Sequence, residues 1–333
     1  MPVDPRRLPL AKLRRRLLDG GEPVTPHLLR KLQRDPRRGV RQLYLSLQRR
    51  VDEEKQRQAH RDGLLNFERV LWRSGVERIA GVDEAGVGPL AGPVVAAAVV
   101  FRRDVDLAGI DDSKKLDPPS RERLDAAIRA TAAGVAIGVA EVEEIDRVNV
   151  YQAALLAMRR AVEALPVRPQ HLLVDARDVP GVAVPQNQFH KGDGINYSIA
   201  AASIVAKVYR DRLMVELDRR WPGYGFARHK GYCTSSHQGA IRRLGPCPAH
   251  RRSFTFIQEL CGEYSADFYD LRRRLYEAAD PRALGRLEAE LGERRLSLRE
   301  VEYRKLRLTL TRRWKVVTSP AAPGRAPAPL PGG

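Results

Sequence analysis

The sequence predicts an α/β or α+β domain over residues 77–267, set between a basic helical extension and a charged helical segment. Three observations predict it. Residues 94–101 are an unbroken apolar run, Val-Val-Ala-Ala-Ala-Val-Val-Phe, as expected of a strand buried on both faces. Residues 197–221 place Ile199, Ala202, Ala206, Tyr209, Leu213 and Leu217 on one stripe at helical spacing, with Lys207, Arg210 and Arg212 off it. Between these signals, strand-like and helix-like stretches alternate.

Taken in order, residues 1–76 read as basic helices. Thr25-Pro26 is a helix start, with the threonine as cap and the proline at the first helical position. A second helix follows Asp35-Pro36, runs through residues 42–73 and ends near Ser74-Gly75. Its arginines fit an accessory element that grips nucleic acid, or solvated faces of packing helices. Strands are expected at 78–82, 94–101, 134–142 and 171–174, and helices at 119–131, 148–165, 197–221 and 235–244. The small residues Ala200-Ala201-Ala202-Ser203 would let their helix lie close against a sheet. Residues 268–318 are charged and mostly helical, except that the alternation at 306–310 reads as a strand. Residues 319–333, rich in Pro, Ala and Gly, read as a disordered tail.

Composition narrows the function. The 333 residues carry 59 Lys+Arg against 41 Asp+Glu, a formal net charge of +18, which points to a polyanionic partner, nucleic acid first. The 43% hydrophobic content supports a packed core. Three cysteines, Cys233, Cys247 and Cys261, imply no disulfide framework and fit a reducing, cytoplasmic setting. They lack a Cys-x-x-Cys pair, so small buried thiols explain them better than zinc. No secretory signal is visible, and the longest apolar run is far short of the ~20 residues that span a bilayer.

The chemistry concentrates at Asp83-Glu84, where an apolar strand meets the turn Gly86-Val87-Gly88. Buried carboxylates need a partner, a metal or a shifted pKa. Asp175 ends a second strand, and Asp193 stands in Lys191-Gly192-Asp193 ahead of the long helix. Carboxylates at neighbouring strand ends can converge, and an all-oxygen cluster selects Mg²⁺ or Mn²⁺. Taken singly, Asp193 could cap the following helix and Asp175 could open a turn. Adjacent strand residues point to opposite faces, so Asp83 and Glu84 share a site only where the strand ends or bulges, or where a carbonyl replaces one side chain. The glycines offer backbone N–H groups to a phosphate or sugar, but acids precede them and their spacing is not that of a dinucleotide-binding turn. There is no P-loop and no supported Ser/His nucleophile. Asp112-Ser113-Lys114-Lys115-Leu116 and His229-Lys230-Gly231-Tyr232 add lysines for phosphates and a tyrosine for a sugar or base face.

In order along the chain, these blocks resemble bacterial ribonuclease HII. Residues 83–94 match the family's Asp-Glu-Ala/Val-Gly-Arg-Gly-Pro-Leu-Ala-Gly-Pro-Val at all but one position, and 112–116 is similar to its Asp-Ser-Lys-Lys-Leu block. Lys191-Gly192-Asp193, residues 201–212, His229–Tyr232 and the closing block at 250–254 follow its pattern, so the likeness spans roughly 78–256. It implies an α/β, ribonuclease H-like mixed central sheet flanked by helices. It also implies a monomeric endonuclease that cleaves RNA in RNA–DNA hybrids and at ribonucleotides embedded in duplex DNA. Carried over, Asp83, Glu84, Asp175 and Asp193 would hold two Mn²⁺ or Mg²⁺ ions. Gly86, Val87 and Gly88 would read the 2′-hydroxyl through their backbone, Ser113, Lys114 and Lys191 would bind substrate, and Tyr232 would pack on the neighbouring deoxyribose. A ribonuclease HIII-like enzyme and a catalytically impaired nucleic-acid-binding relative are the alternatives. Two positions depart from the family pattern: Val87 replaces an arginine, and Ala176 stands where a glycine usually follows the aspartate.

Overall fold

The computed structural model describes Pro5 and residues 8–20, 22–103, 105, 107–262 and 264–318; the predicted tail at 319–333 lies outside the described residues. The chain forms two units, Met1–Ala240 and Ile241–Gly333.

The first unit begins with helices α1 (Leu10–Arg14), α2 (Pro26–Gln33), α3 (Arg38–Leu64) and α4 (Asn66–Arg73). Thr25 caps α2 as expected, accepting a hydrogen bond from the Leu28 amide at 3.2 Å. The single helix expected across 42–73 is broken at Leu65. Leu13, Leu17, Leu29, Leu32, Leu43 and Leu47 bury one another in a small core.

The main sheet contains β1 (Ile79–Ala85), β2 (Val94–Phe101), β3 (Gly134–Ala140), β4 (His171–Asp175) and β5 (Gln186–Phe189), in the order β3-β2-β1-β4-β5. β1 pairs antiparallel with β2 and parallel with β4, so the sheet is mixed. All eight residues of β2 are buried, which accounts for its continuous apolar sequence. α5 (Pro118–Thr131), α6 (Val142–Val148) and α7 (Val150–Glu163) connect strands, and α8 (Tyr197–Arg220), α9 (Phe226–His229) and α10 (Ser235–Leu244) follow β5. The strand expected to reach residue 142 stops at Ala140, because Glu141 and Glu144 form a reciprocal cap that starts α6. The helix expected over 148–165 is α7, which starts at Val150 because Asn149, at φ +75°, ends α6 and caps α7 with its side chain.

Two glycines let helices press on the sheet. A Cβ on Gly81 would lie 2.0 Å from the Ser198 carbonyl carbon of α8. One on Gly138, which pairs with Ala96, would lie 2.0 Å from the Ala157 oxygen of α7. Val95, Ala97 and Val99 join the core that includes Ile199, Ala202 and Ala206 of α8, so α8 and α7 cover opposite faces. Asp83 shares a face with Gly81, and therefore with α8; Glu84 points to the side of α7.

The second unit contains α11 (Thr255–Leu260), α12 (Ala266–Glu277), α13 (Pro281–Glu293) and α14 (Glu300–Thr318). Residues 306–310 are helical, not a strand: Leu306 and Leu310 are buried four residues apart on one face, while Leu308 is 53% exposed. The apparent alternation came from Leu308, which faces solvent. Phe268, Leu271, Leu284 and Leu291 complete that core. Of the cysteines, Cys247 is buried as expected, whereas Cys233 and Cys261 are exposed. No helix among the described residues is long and apolar enough to cross a membrane.

Ala176 adopts φ +62° immediately after β4. Left-handed backbone costs alanine about 1 kcal/mol relative to glycine. Ala176→Gly is therefore expected to raise stability by up to about 1 kcal/mol, measured by urea unfolding; a lower midpoint would show that this turn is not strained.

Candidate active site

The parallel ladder between β1 and β4 ends at the pair Val82–Val174, one residue short of the acids. β1 itself continues to Ala85 along β2. The strand neither ends nor bulges at the acids; its β4-side edge opens there. Asp83, Glu84 and Asp175 each bring a carboxylate oxygen to within 4.8 Å of the others. Asp83 is buried, its Oδ1 accepting a hydrogen bond from the Glu84 amide at 2.7 Å. Asp175 is fixed by the Gly192 amide, which donates to its Oδ1 at 2.6 Å. The Lys191-Gly192-Asp193 segment thereby positions one of the acids.

Burial and mutual repulsion act together on the three acids. Burial, then the charges of Glu84 and Asp175, hold the Asp83 carboxyl well above the usual carboxylate range. Burial and Asp175 push Glu84 up to about 7, against the opposing charge of Arg177. Asp175 is also raised, by burial first. Glu84 Oε2 is buried with no hydrogen-bond partner among the described residues. An orphaned carboxylate oxygen within an all-oxygen trio fits a hard divalent cation.

Asp193 lies outside this trio. It is buried, and its Oδ2 accepts from Lys114 Nζ at 2.7 Å, while its charge still raises Asp175. It does not cap the long helix: Asn196 does, accepting from the Ile199 amide at 3.1 Å. Ser113 is buried with its Oγ 2.9 Å from Ser203 Oγ, and Ser203 favours the charged form of the Asp83 carboxyl against the larger effect of burial. Lys191 is exposed at φ +58°, and its side chain does not line the cleft.

That cleft, about 250 Å³, is lined by the trio, Gly86, Val87, Gly88, Ser113, Lys114 and Tyr232, together with Ala85, Ser203, Lys207 and Arg210. Ser203, Lys207 and Arg210, all from α8, were not expected there. Arg210 is only 1% exposed. Its guanidinium donates to the carbonyls of Pro93 at 3.0 Å and of Ala91 and Lys230 at 3.1 Å. This ties the 91–93 segment, which follows the glycine turn, to the Tyr232 loop. Gly86, at φ +96°, has no room for a side chain, since a Cβ would lie 2.0 Å from Arg210 Nε. Tyr232 is 46% exposed, and its ring would lie 3.8 Å from a Cβ on Gly88. Burial lowers the His237 pKa to about 4, so its ring is neutral at pH 7, with Nδ1 2.9 Å from the Tyr232 carbonyl. The spacing of Ser203, Lys207 and Arg210 at i, i+4 and i+7 was the available signal that one face of α8 reaches the acids.

Converging carboxylates, cationic side chains and the exposed backbone of Val87 and Gly88 on a mixed sheet define a metal-dependent phosphodiester hydrolase. Residues 80–257 match the family model described as Ribonuclease HII, and residues 11–72 match that of the Ribonuclease HII N-terminal domain. The chain is 51% identical over 262 residues to a ribonuclease HII of Anaeromyxobacter sp. (strain Fw109-5), covering 78% of this chain and 83% of that protein. It is 52% identical over 254 residues to one of Myxococcus xanthus (strain DK1622), covering 76% and 87%. Among solved structures, the ribonuclease H2 of Pyrococcus horikoshii OT3 superposes with a TM-score of 0.48 at 26% identity, covering 56% of this chain and 98% of that one. The chain belongs to the ribonuclease HII family. It is a metal-dependent endoribonuclease of RNA–DNA hybrids.

Proposed function

We propose that the enzyme cleaves on the 5′ side of ribonucleotides, including single ones embedded in duplex DNA, and that Asp83, Glu84, Asp175 and Asp193 hold two Mg²⁺ or Mn²⁺ ions. The buried, unpartnered Oε2 of Glu84 is the observation that carries this reading. When bound, such ions stabilise the attacking and leaving oxygens of an in-line phosphodiester displacement. The chain's own residues supply the rest. Asp83, Glu84 and Asp175 provide converging oxygens, and Asp193 joins them when Lys114 turns from it to a substrate phosphate. The backbone amides of residues 86–88 hydrogen-bond the ribose 2′-hydroxyl, the group that separates RNA from DNA. Tyr232, held by the loop that Arg210 and His237 brace, packs against the adjoining deoxyribose. Water adds at phosphorus and the bond to the 3′-oxygen breaks, leaving 5′-phosphate and 3′-hydroxyl ends.

Residues 1–76 serve, in this reading, as a basic grip on the duplex beside a catalytic domain at 77–267, and 268–318 is an accessory segment. A monomer acting in the cytoplasm fits the reading. The test is a DNA duplex with one embedded ribonucleotide, incubated with Mg²⁺ or Mn²⁺. A nick 5′ of the ribonucleotide is expected; binding without nicking under both metals would favour the impaired, nucleic-acid-binding alternative.

Val87 lines the cleft and is 36% exposed. Val87→Arg adds a guanidinium beside the site, so it is expected to tighten substrate binding by about tenfold, read as a lower Kd in EDTA. An unchanged Kd would show that the backbone contacts suffice.

A further inference from the structure

One cationic group beside the acids has no part in the mechanism above. Arg177 follows Asp175 by two residues, on the strand end that carries the trio's third carboxylate. Its side chain is half-buried, and its Cζ lies 4.3 Å from the ring centroid of Tyr151. Tyr151, in the first turn of α7, is 48% exposed, so the pair sits at the surface.

The guanidinium has no hydrogen bond or carboxylate partner among the described residues. The contrast with its neighbours is clear: Lys114 is taken by Asp193, Lys207 by Asp211 at 2.7 Å, and Arg210 by three carbonyls. A guanidinium over a tyrosine face is held there by cation–π attraction, which uses none of its N–H groups and leaves them for contact with an anion. That anion is not one of the trio, because no carboxylate oxygen lies within ion-pair distance. The charge is nonetheless near enough to oppose the upward shift of Glu84.

The backbone on both sides of the pair is strained. Asn149, two residues before Tyr151, has φ +75°, and Ala176, directly before Arg177, has φ +62°. Such strain concentrates where a fold holds side chains for use. Glu84 points toward the α7 face of the sheet, the face on which Tyr151 stands. The pair therefore flanks the acids on the side opposite Ser203, Lys207 and Arg210 of α8.

We infer that Arg177, set over the Tyr151 ring, binds a backbone phosphate of the nucleic-acid substrate on the α7 side of the acid cluster. With the lysines on the α8 side, the strand would be held across the acids from both flanks. This rests on the reading of Asp83, Glu84 and Asp175 as the reacting centre.

The test is the Kd of a fluorescein-labelled RNA–DNA hybrid in EDTA, measured by anisotropy from 50 to 300 mM salt. Arg177→Ala is expected to weaken binding by about tenfold at low salt and to reduce the slope of log Kd against log salt by about 0.9, the loss of one phosphate contact. Arg177→Lys should keep the slope and lose part of the affinity, because the charge stays and the planar fork goes. A slope unchanged in Arg177→Ala, with thermal stability intact, would overturn the contact. Tighter Mn²⁺ binding by that variant in calorimetry, again with an unchanged slope, would assign Arg177 to balancing the acids and would equally overturn it. Failure of the parent protein to bind the hybrid would instead sink the underlying reading.

Discussion

Asp83→Asn is expected to reduce hydrolysis of an RNA–DNA hybrid by more than about 1,000-fold, equivalent to roughly 4 kcal/mol of lost transition-state stabilisation. The same change should leave the metal-free protein at least as stable as the parent. Asp83 is buried, and burial first, then Glu84 and Asp175, oppose its charge. Asparagine keeps an acceptor for the Glu84 amide, now 2.7 Å from Oδ1, and removes the charge. Relief of repulsion among desolvated acids contributes on the order of 1 kcal/mol. Loss of activity with a raised or unchanged melting temperature marks a group kept for chemistry at the expense of stability. Retained activity would remove Asp83 from the centre, and a marked fall in melting temperature would make it a structural residue.

Arg210→Ala should have the largest effect on folding. The guanidinium is 1% exposed and satisfies three carbonyls from two separate loops. Alanine leaves those acceptors without their donor and opens a cavity against Gly86 and Gly92. Stability is expected to fall by about 3 kcal/mol or more, a drop of at least about 6 °C in melting temperature by calorimetry. Arg210→Lys should not rescue it, since one ammonium cannot span three carbonyls fixed for a planar fork. A shift of less than a degree in Arg210→Ala would show that the 91–93 segment and the Tyr232 loop hold without the clamp. Because Arg210 packs against Gly86 and holds the 91–93 segment that follows the glycine turn, activity on hybrids should fall more steeply than stability alone explains.

The parts that were legible in the sequence share a physical cause. The apolar run of β2 could be read because both its faces are buried, and Asp83-Glu84 could be read because paired charge is out of place beside such a strand. β5 escaped, since Gln-Asn-Gln-Phe has no apolar period; it is an edge strand with two exposed residues, held by its ladder to β4. Arg210 was placed off the buried stripe of α8. An arginine is ordinarily solvated there, and only the return of two loops over the helix supplies the carbonyls that bury it. Likewise, Lys114 lies 79 residues before Asp193 in sequence, and no local pattern reveals that one holds the other. Convergence of Asp83 and Glu84 on one site depends on where the β1–β4 ladder stops, which is a property of pairing and not of either strand alone. The two departures, Val87 and Ala176, were visible at once, but the strain at Ala176 became evident only from its φ.

The most direct test of the account is a crystal soaked with Mn²⁺ and measured at the manganese absorption edge. An anomalous peak within coordination distance of Asp83, Glu84 and Asp175, with Glu84 Oε2 among its ligands, is the predicted result. A site elsewhere, or no peak at the trio at millimolar Mn²⁺, would contradict it.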